Sequence, residues 1–477
     1  MNVLLGKVTK NVYICINFCI KMRRITTFIL ALLLAITALA QSPEAVLEAI
    51  RNYPNLAYPV ASTYPSIPLE EIEKAPEGFT PFYFSLTGRH GSRYETKERH
   101  FRKAVDIFSK GKEQGILTAD GELLLEKMSE VLKAQHGNDG ELSAVGFEQW
   151  NGIGERAYKN FGEVFESGTS IEAKSSTSMR CVLSMVSFTS AIKGKVPSIT
   201  IKQNSRKSEL GLLRPLADDP SYPEAVKEVI TDYRHNGEWI KARNEWAKQC
   251  DMSTFLSKVT TDAEALRKCS ETRHFSIARY AFITLIFGEN FGINNRDLIT
   301  RLFTPEELYN LYVYQTVFWV SGSVGRGNDY SETNQSYMRP LVEDILNKAQ
   351  EAIDGKNANV ANLRFTHDTY MSPLLSVIGY EGCVPKWSDN VESATTSFNH
   401  GKYVPMASNL QLILYHNKQG KVFVRSLINE RDAYLPIACK SAPFYPWKDF
   451  CNHIEKNLKE LDKAKERVVS KHKIALE

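Results

Sequence analysis

The stretch FTPFYFSLTGRHGSR, residues 79–93, joins an apolar segment to a basic loop. Phe82 to Leu86 has the length and the aromatic content of a buried β-strand, and the glycine-containing loop follows it directly. The same order of short strand, polar loop and helical pattern occurs at 171–192 and at 359–380. Strands that are each followed by a helix predict parallel pairing, so these three stretches decide the fold class.

Further markers support this interpretation. Ser175 to Ser178 offers helix-capping side chains ahead of apolar residues at helical spacing, and Ala361 to Phe365 is a predicted strand ahead of an apolar helix. Residues 409–429 alternate apolar and polar side chains around Asn417–Gly420, which predicts a hairpin. We therefore predict an α/β protein with a mostly parallel sheet flanked by helices. Its ligand should bind where loops leave the carboxyl ends of the strands.

The segments between these strands are mostly helical in pattern. Residues 117–135 and 142–165 have amphipathic periodicity, and from about Pro215 to Val320 every periodic segment is helical. The predicted domains are an α/β core at 41–204 and 325–477 and an inserted, mainly helical second domain at 205–324.

The N-terminal region has the pattern of an export signal. Residues 25–40, ITTFILALLLAITALA, form an apolar run that follows two arginines and ends in Ala-Leu-Ala. This pattern predicts a signal peptide over 1–40, cleaved before Gln41, with residues 1–21 as an upstream extension. The alternative is a retained transmembrane anchor, but the run is shorter than the ~20 residues that span a bilayer. We therefore expect a periplasmic or secreted protein with no stable membrane anchor after cleavage.

The formal net charge of +4 comes from this N-terminal region. Residues 1–40 contain five basic and no acidic side chains, so the remaining chain has a formal net charge of −1. Such a chain is not suited to binding nucleic acid through bulk charge, and an anion-binding site has to be local.

Six of the eight cysteines follow the predicted cleavage point. Their spacing matches no zinc-binding pattern, and export permits disulfides. Cys250 with Cys269 and Cys439 with Cys451 are the local candidate pairs, and the alternative is that the thiols are free and buried. The six are Cys181, Cys250, Cys269, Cys383, Cys439 and Cys451.

Arg89, His90 and Arg93 crowd positive charge into one short loop. Each guanidinium can present a planar fork of donors to phosphate oxygens. Two neighbouring cations lower the pKa of an imidazole, so His90 should stay neutral and act as a nucleophile towards a bound phosphoryl group. Gly88 and Gly91 should let the backbone approach the substrate, and the amides of the turn should add donors.

The loops of the other two stretches supply matching groups. Arg180 lies in the first turn of a predicted helix and can bind the same phosphate beside the positive end of that helix. His367 can donate to the phosphate, and Asp368 can protonate the leaving oxygen as general acid. Each residue alone has an ordinary structural explanation, such as a solvated arginine or a His-Asp helix cap. The prediction therefore rests on all three loops following predicted strands.

Together these motifs resemble the histidine acid phosphatase branch (clade 2) of the histidine phosphatase superfamily, which includes phytases and multiple inositol polyphosphate phosphatases. The resemblance spans roughly residues 80–435 and implies an α/β domain with a helical second domain. It is carried by Arg89-His90-Gly91-Ser92-Arg93, Leu142, Gly146, Ile153-Gly154, Arg180-Cys181, Ser184, Phe188, His367-Asp368 and VPMASNLQLILY (404–415).

The resemblance implies that phosphomonoesters are hydrolysed in two steps through a phosphohistidine, with no metal or cofactor. In that scheme His90 is the nucleophile and Asp368 is the proton donor. The phosphoryl group is then held by Arg89, Arg93, Arg180 and His367.

Two positions depart from the family pattern. Glu95 stands where the first motif usually has proline, which leaves the path of the loop and the preferred substrate open. His367-Asp368-Thr369 stands where inositol polyphosphate phosphatases usually have His-Ala-Glu, and it resembles acid phosphatases and many phytases instead. The Pro-Leu-Leu spacing that follows nevertheless resembles the inositol polyphosphate group, so the branch stays open.

Substrate choice depends on residues outside the phosphate site. The basic run of residues 97–103 suits a polyphosphorylated ligand, and the alternative is a solvated helix face balanced by nearby acids. The favoured substrate is phytate or another inositol polyphosphate, and the only expected partner is a small-molecule phosphomonoester. The alternatives are a broad-specificity or sugar-phosphate acid phosphatase, a phosphotransferase and a non-hydrolytic phosphate-binding protein. Asp368 argues against simple binding, and export favours hydrolysis.

Overall fold

The computed structural model describes residues 42–218 and 222–474. The predicted signal peptide over 1–40 and its cleavage point at Gln41 lie outside the described residues. Within the described residues, no helix combines the length and the apolar character needed to cross a bilayer.

One mixed sheet of eight strands forms the centre of the molecule, in the order β3-β2-β4-β1-β5-β6-β7, with β8 also paired to β6. Strands β3, β2, β4 and β1 pair in parallel, whereas β5 to β8 add antiparallel pairs. The predicted α/β fold class is confirmed, with an antiparallel extension on one side. The strands are β1 Thr80–Arg89, β2 Ser170–Ser175, β3 Thr200–Asn204, β4 Ala361–Thr366, β5 Asn409–His416, β6 Val422–Ile428, β7 Arg431–Asp432 and β8 Phe444–Pro446.

Twenty α-helices surround this sheet in the described residues. They are α1 Pro43–Asn52, α2 Arg99–Glu113, α3 Ala119–Gln135, α4 Ala144–Ser167, α5 Met179–Lys195, α6 Leu210–Leu213, α7 Pro215–Asp218, α8 Glu224–Asn236, α9 Trp239–Gln249, α10 Ser253–Val259, α11 Ala263–Lys268, α12 His274–Gly288, α13 Arg296–Leu302, α14 Pro305–Trp319, α15 Asp329–Ser336, α16 Arg339–Ile353, α17 Asp368–Ile378, α18 Val391–Thr396, α19 His400–Tyr403 and α20 Trp447–Lys471.

Strand β1 is longer than the predicted Phe82 to Leu86 because it is paired on both sides. Its parallel pairing with β4 continues to Arg89 opposite Thr366, and its antiparallel pairing with β5 reaches Gly88 opposite Asn409. The first residues of the basic loop are therefore the end of a central strand, whose backbone is fixed by two neighbours.

Three parallel strands end at the same edge of the sheet. β1, β2 and β4 end at Arg89, Ser175 and Thr366, and the loop after each strand leads towards a helix. This edge is where an open parallel sheet binds ligands, and all of the predicted site residues lie at the strand ends or in the adjoining segments.

Two large apolar clusters pack against the two faces of the sheet, and a third joins helices away from it. Helices α4 and α5 cover one face, and α16, α17 and α20 cover the other. A third cluster joins α2 and α3 to helices α8 through α14. Thus α2 and α3 bury their apolar sides with the helices of the predicted insertion at 205–324, although they precede it in the chain. The domain boundaries themselves stay a prediction.

All six described cysteines are free thiols, so the candidate pairs Cys250 with Cys269 and Cys439 with Cys451 are wrong. The Cys250 Sγ donates to the carbonyl oxygen of Trp246 at 3.1 Å. The Cys439 Sγ likewise lies 3.5 Å from a nearby backbone carbonyl oxygen. These thiols are therefore satisfied by local backbone groups instead of by a partner sulfur.

The contact between α4 and α5 should limit side-chain size at Gly154. A Cβ there would lie 2.8 Å from the carbonyl oxygen of Phe188 and 2.8 Å from the Cβ of Ala191, whereas a Cβ at Gly194 of α5 meets nothing within 4 Å. We expect Gly154→Ala to lower the free energy of unfolding by about 1–3 kcal/mol, because the helices must move apart. The control Gly194→Ala should leave it unchanged or raise it by up to about 1 kcal/mol. Urea unfolding measures both, and a Gly154→Ala protein as stable as the wild type would contradict this packing.

Candidate active site

Arg89, at the end of β1, is fully buried and held by three acceptors. Its Nη1 donates to the carbonyl oxygen of Val404 at 3.0 Å, and its Nη2 donates to that of Val60 at 2.9 Å. The same Nη2 lies 2.9 Å from the Oδ2 of Asp368. Burial is the main cause that lowers the pKa of Arg89, to about 10, and Asp368 opposes it. The guanidinium is therefore fixed in position and keeps its charge at neutral pH.

His90 is buried beside this arginine in a defined tautomer. Its Nδ1 lies 2.9 Å from the carbonyl oxygen of Gly91, and a carbonyl only accepts, so Nδ1 carries the proton. The Nε2 lone pair has no hydrogen-bond partner among the described residues. Burial, and then the charges of Arg89 and Arg93, hold the pKa of His90 well below its usual range. The result is a neutral imidazole with an available nitrogen, as a nucleophile requires.

The glycines of this loop make room for α4 and not for a substrate. A Cβ at Gly91 would lie 2.7 Å from the Cα of Gly146, and a Cβ at Gly88 would lie 2.6 Å from the Cζ2 of Trp150. The Trp150 indole in turn donates to the carbonyl oxygen of Arg89 at 3.1 Å. The predicted role of Gly88 and Gly91 in substrate approach is therefore wrong, because both positions are filled by the helix.

Two amides of the turn are also occupied by protein groups. The Gly91 amide donates to the Oγ of Ser184 at 3.0 Å, and the Ser92 amide donates to the Oε1 of Gln149 at 2.9 Å. Contrary to the sequence-based expectation, these two donors are not free for a phosphate. The hydrogen bonds instead fix the loop to α5 and α4.

Arg93 lies in the same site with a less rigid set of contacts. Its Nη1 donates to the carbonyl oxygen of Tyr94 at 2.8 Å and lies 3.5 Å from the Oε1 of Glu95. Its guanidinium is 5.8 Å from the centre of the Phe287 ring, and its buried Nε has no partner. Because its charge contributes to the low pKa of both His90 and Asp368, Arg93 faces the same space as the other groups.

Arg180, the second residue of α5, reaches the third loop. Its Nη2 lies 3.5 Å from the Nδ1 of His367, and its Nη1 lies 3.4 Å from the carbonyl oxygen of Gly140. The expected helix cap is absent, because Ser178 makes no side-chain capping bond. The Ser176 hydroxyl lies 3.1 Å from the Nε2 of His367 instead. The serines that suggested a cap thus include one that orients a site histidine.

His367 completes the group around His90. The rings of His90 and His367 have centres 5.5 Å apart and meet edge to face. Burial first, and then the charge of Arg180, lowers the pKa of His367 to about 3. Since an arginine only donates, the Nδ1 of His367 is the acceptor and Nε2 carries the proton towards Ser176. Both histidines of the site are therefore neutral near neutral pH.

Asp368 begins α17, and its carboxylate is shared between two donors. The Thr369 amide donates to Oδ1 at 2.9 Å, and Arg89 binds Oδ2. Burial raises the pKa of this carboxyl group, but Arg89 and Arg93 outweigh burial and lower it to about 2. Asp368 is therefore ionised in the free protein. It can carry a proton only when a bound anion offsets the two arginines.

The structure thus brings together all six site residues predicted from three distant segments. It also adds charged groups that sequence reasoning missed. Arg214 forms an ion pair with Asp218 at 3.1 Å. After burial, its charge helps to lower the pKa of His367, and it opposes the burial that raises the pKa of Tyr370. No motif marks it. The proximity of Arg214 to the site follows only from the folded path of the chain after β3.

Three further arginines, which we call the cap arginines, lie on helices α8, α9 and α12, within the predicted insertion at 205–324. Arg234 lies 5.2 Å from the Phe318 ring centre, Arg243 lies 4.7 Å from that of Tyr314, and Arg279 lies 5.3 Å from the same tyrosine. Each has a buried Nε without a hydrogen-bond partner, and none pairs with a carboxylate of the described residues. The cap arginines are therefore positive charges that the protein itself leaves unneutralised.

The cap arginines are electrostatically linked to the site. The charge of Asp368 opposes the burial that lowers the pKa of Arg234. Burial raises the pKa of Tyr58 to about 12, and the charges of Arg279 and Arg93 both oppose that shift. Tyr58 thus lies within the field of one cap arginine and of one site arginine. Burial lowers the pKa of Arg243, and the charge of Arg279 lowers it further. The field of the cap arginines therefore extends over the space next to the six site residues.

Comparisons with known proteins identify the family of the chain. Residues 87–429 match the family model of the histidine phosphatase superfamily, branch 2. The chain is 29% identical to human multiple inositol polyphosphate phosphatase 1 over 153 residues, which are 30% of this chain and 31% of that enzyme, or less than a third of its length. The enzyme of the same name from Gallus gallus is 21% identical over 380 residues, 76% of this chain and 79% of that enzyme.

A solved structure shows the same fold. It is the multiple inositol polyphosphate phosphatase of Bifidobacterium longum in complex with inositol hexasulfate, with a TM-score of 0.66 and 17% sequence identity. The match covers 84% of this chain and 97% of that chain.

The low pKa of His367 makes stability depend on pH. The unfolded chain binds a proton near pH 6.5, whereas the folded chain does so only near pH 3, so the free energy of unfolding decreases as pH falls between these values. From pH 7 to pH 5 this histidine alone should remove about 2 kcal/mol, at 1.4 kcal/mol per pH unit below 6.5. We expect His367→Gln to lose about 2 kcal/mol less than the wild type over that interval in urea unfolding. An unchanged pH dependence in the variant would contradict the neutral, buried imidazole.

Proposed function

Because the chain belongs to branch 2 of the histidine phosphatase superfamily, we propose that it hydrolyses phosphomonoesters in two steps through a phosphohistidine at His90. The observation that carries this proposal is the tautomer of His90, whose proton is on Nδ1 and whose Nε2 is available between Arg89 and Arg93. A neutral nucleophile beside fixed cations is suited to attack a phosphoryl group.

In the first step the Nε2 of His90 forms a bond to phosphorus while the bond from phosphorus to the ester oxygen breaks. Arg89, Arg93 and Arg180 bind the phosphoryl oxygens, and His367 joins them when its Nε2–H, which lies 3.1 Å from the Ser176 hydroxyl in the free protein, turns to a phosphoryl oxygen; we call these four residues the phosphate clamp. The negative charge of the substrate offsets the arginines beside Asp368, so the carboxyl group gains a proton on binding. Asp368 then gives this proton to the leaving oxygen, and the alcohol departs.

In the second step a water molecule attacks the phosphorus of the phosphohistidine. The Asp368 carboxylate, which has just lost its proton, accepts one from this water. The bond between Nε2 and phosphorus breaks, and inorganic phosphate leaves. His90 returns to its neutral form with the proton still on Nδ1, held by the carbonyl of Gly91. The chain's own residues thus account for every proton, and we expect no metal to be needed.

We further propose that the preferred substrates are inositol polyphosphates such as phytate. The support is the cap arginines, because three cations without carboxylate partners suit a ligand with several phosphates. The relatives named above act on such compounds by name, which agrees with this charge pattern. A broad-specificity acid phosphatase would need only the phosphate clamp. A protein that only binds phosphate would not need Asp368 beside it.

The basic run of residues 97–103 contributes unevenly to this charge. Arg102 pairs with Glu98 on the exposed side of α2, as in a solvated helix face. His100 stacks on Tyr280 with ring centres 5.6 Å apart, and Lys103 lies 5.5 Å from the centre of the same ring. Tyr280 adjoins Arg279 in the chain, so this second group extends the field of the cap arginines.

We keep the proposal that the protein is exported, on the N-terminal pattern of residues 1–40.

His90→Ala should reduce phosphate release at least about 10³-fold with every substrate, because the nucleophile is lost. Asp368→Asn should lower kcat/KM for an alkyl phosphate about 10²-fold or more and for p-nitrophenyl phosphate less than about tenfold, because nitrophenolate leaves without a proton and kcat/KM does not include the second step, in which Asp368 is the base. Steady-state assays with EDTA measure both effects, and full wild-type activity is expected there. The exposed substitutions His136→Ala and Asp389→Asn serve as controls. Equal losses of kcat/KM for both substrates in Asp368→Asn would remove Asp368 as the acid, and dependence on added metal would contradict the mechanism.

Arg234→Met and Arg279→Met test the substrate class. Each should lower kcat/KM for inositol hexakisphosphate about tenfold, because a charge-assisted hydrogen bond to a distal phosphate is lost. The same variants should change kcat/KM for p-nitrophenyl phosphate less than about twofold to threefold, since that substrate carries one phosphate. Arg301→Met, which removes an exposed arginine paired with Asp120, is the control. Equal losses with both substrates would favour the broad-specificity alternative.

A further inference from the structure

A carboxylate lies inside the proposed phosphate site, at Glu95. Its Oε1 is 3.5 Å from the Nη1 of Arg93, and the two side chains are only 15% and 8% exposed. The same oxygen accepts hydrogen bonds from the amide and the hydroxyl of Thr96, at 2.6 and 2.9 Å. The Oε2 atom has no hydrogen-bond partner among the described residues. The carboxylate is thus held by weak contacts to Arg93 and by a local turn.

Hydrogen bonds fix the backbone of Glu95, so its side chain always starts from the same position beside Arg93. Its amide donates to the Oε1 of Gln135 at 2.8 Å. Its carbonyl oxygen accepts from the Nε2 of Gln135 and from the amide of Gly140, both at 2.9 Å. Gln135 is fully buried in α3. The first of these bonds also needs an amide hydrogen at position 95, which proline lacks.

The negative charge of Glu95 reaches the centre of the proposed phosphate clamp. Burial is the main cause that lowers the pKa of Arg89, and Glu95 is among the neighbours that oppose this shift. The same charge contributes to the raised pKa of Tyr58, after burial. A phosphoryl group bound by Arg89 and Arg93 would therefore lie within the field of a like charge.

We propose that Glu95 is an internal competitor for Arg93, which pairs with the arginine in the free enzyme, yields it to the phosphoryl group and promotes release of inorganic phosphate. This inference rests on the proposed function and concerns the regulation of the same site. Glu95 is a positioning residue here, because it acts through Arg93 and not on the reacting atoms.

The inference follows from the difference between substrate and product. Three buried or half-buried arginines favour any phosphate, including the product, and a product that is retained blocks the next turnover. When phosphate leaves, Arg93 pairs with Glu95 again. This ion pair replaces part of the attraction between Arg93 and the phosphate, so release of the product costs less free energy. The opposite role, in which Glu95 holds Arg93 in its binding orientation, predicts weaker phosphate binding when the carboxylate is removed.

Glu95→Gln separates these two roles, because it removes the charge and keeps the size. We expect the inhibition constant of inorganic phosphate and the KM for p-nitrophenyl phosphate both to fall about tenfold, which corresponds to 1.4 kcal/mol. We expect kcat to fall or to stay constant, since release becomes slower while the chemistry is untouched. Calorimetric titration of the same proteins with inorganic phosphate should show the same gain in affinity.

Two controls accompany this variant. Glu95→Asp keeps the charge and should restore inhibition by phosphate to within about threefold of the wild type. Glu141→Gln removes an exposed negative charge beside Gly140, whose amide bonds to the carbonyl oxygen of Glu95, and should have no effect beyond about twofold. Unchanged or weaker phosphate binding by an active Glu95→Gln enzyme would overturn the proposal while leaving the phosphatase function intact. A wild-type protein with neither phosphate binding nor phosphatase activity would overturn both.

Discussion

The ion pair between Arg89 and Asp368 is the interaction on which the site depends. It joins the end of β1 to the start of α17 across the parallel β1–β4 pair, with the two groups 2.9 Å apart. The arginine is fixed further by the carbonyl oxygens of Val404 and Val60. Because His90 directly follows Arg89 in the chain, the same contacts fix the position of the imidazole.

Burial and charge act in opposite directions on the two central groups. Both effects lower the pKa of His90, so the imidazole is neutral. At Asp368 the arginines outweigh burial, so the carboxylate is charged. A bound phosphoryl group changes this balance because it neutralises the arginines and leaves the buried carboxyl group more easily protonated. The site is thus arranged so that proton uptake at the acid is coupled to occupation by the anion.

The sequence allowed the fold class, the family and the grouping of six site residues to be predicted, because strand and helix periodicity place three loops at one edge of a sheet. The family and the phosphatase class are confirmed by the family match. The roles of Gly88 and Gly91 were wrong, because only the fold shows that α4 packs against them. The cap arginines have no motif, since each contacts an aromatic ring that is distant in sequence, Phe318 or Tyr314. The candidate cysteine pairs failed because nearby spacing does not imply nearby sulfurs.

The position of β1 in the sheet has a consequence for biogenesis. Its parallel partner β4 and its antiparallel partner β5 both lie beyond the helical segment in the chain, so the central strand stays unpaired until most of the polypeptide has emerged from the ribosome. Such long-range closure is slow, and exposed strand edges are vulnerable to aggregation in the meantime. A nascent chain that lacks the last third therefore contains the nucleophile but no catalytic centre, and protection of β1 by chaperones would matter most at this stage.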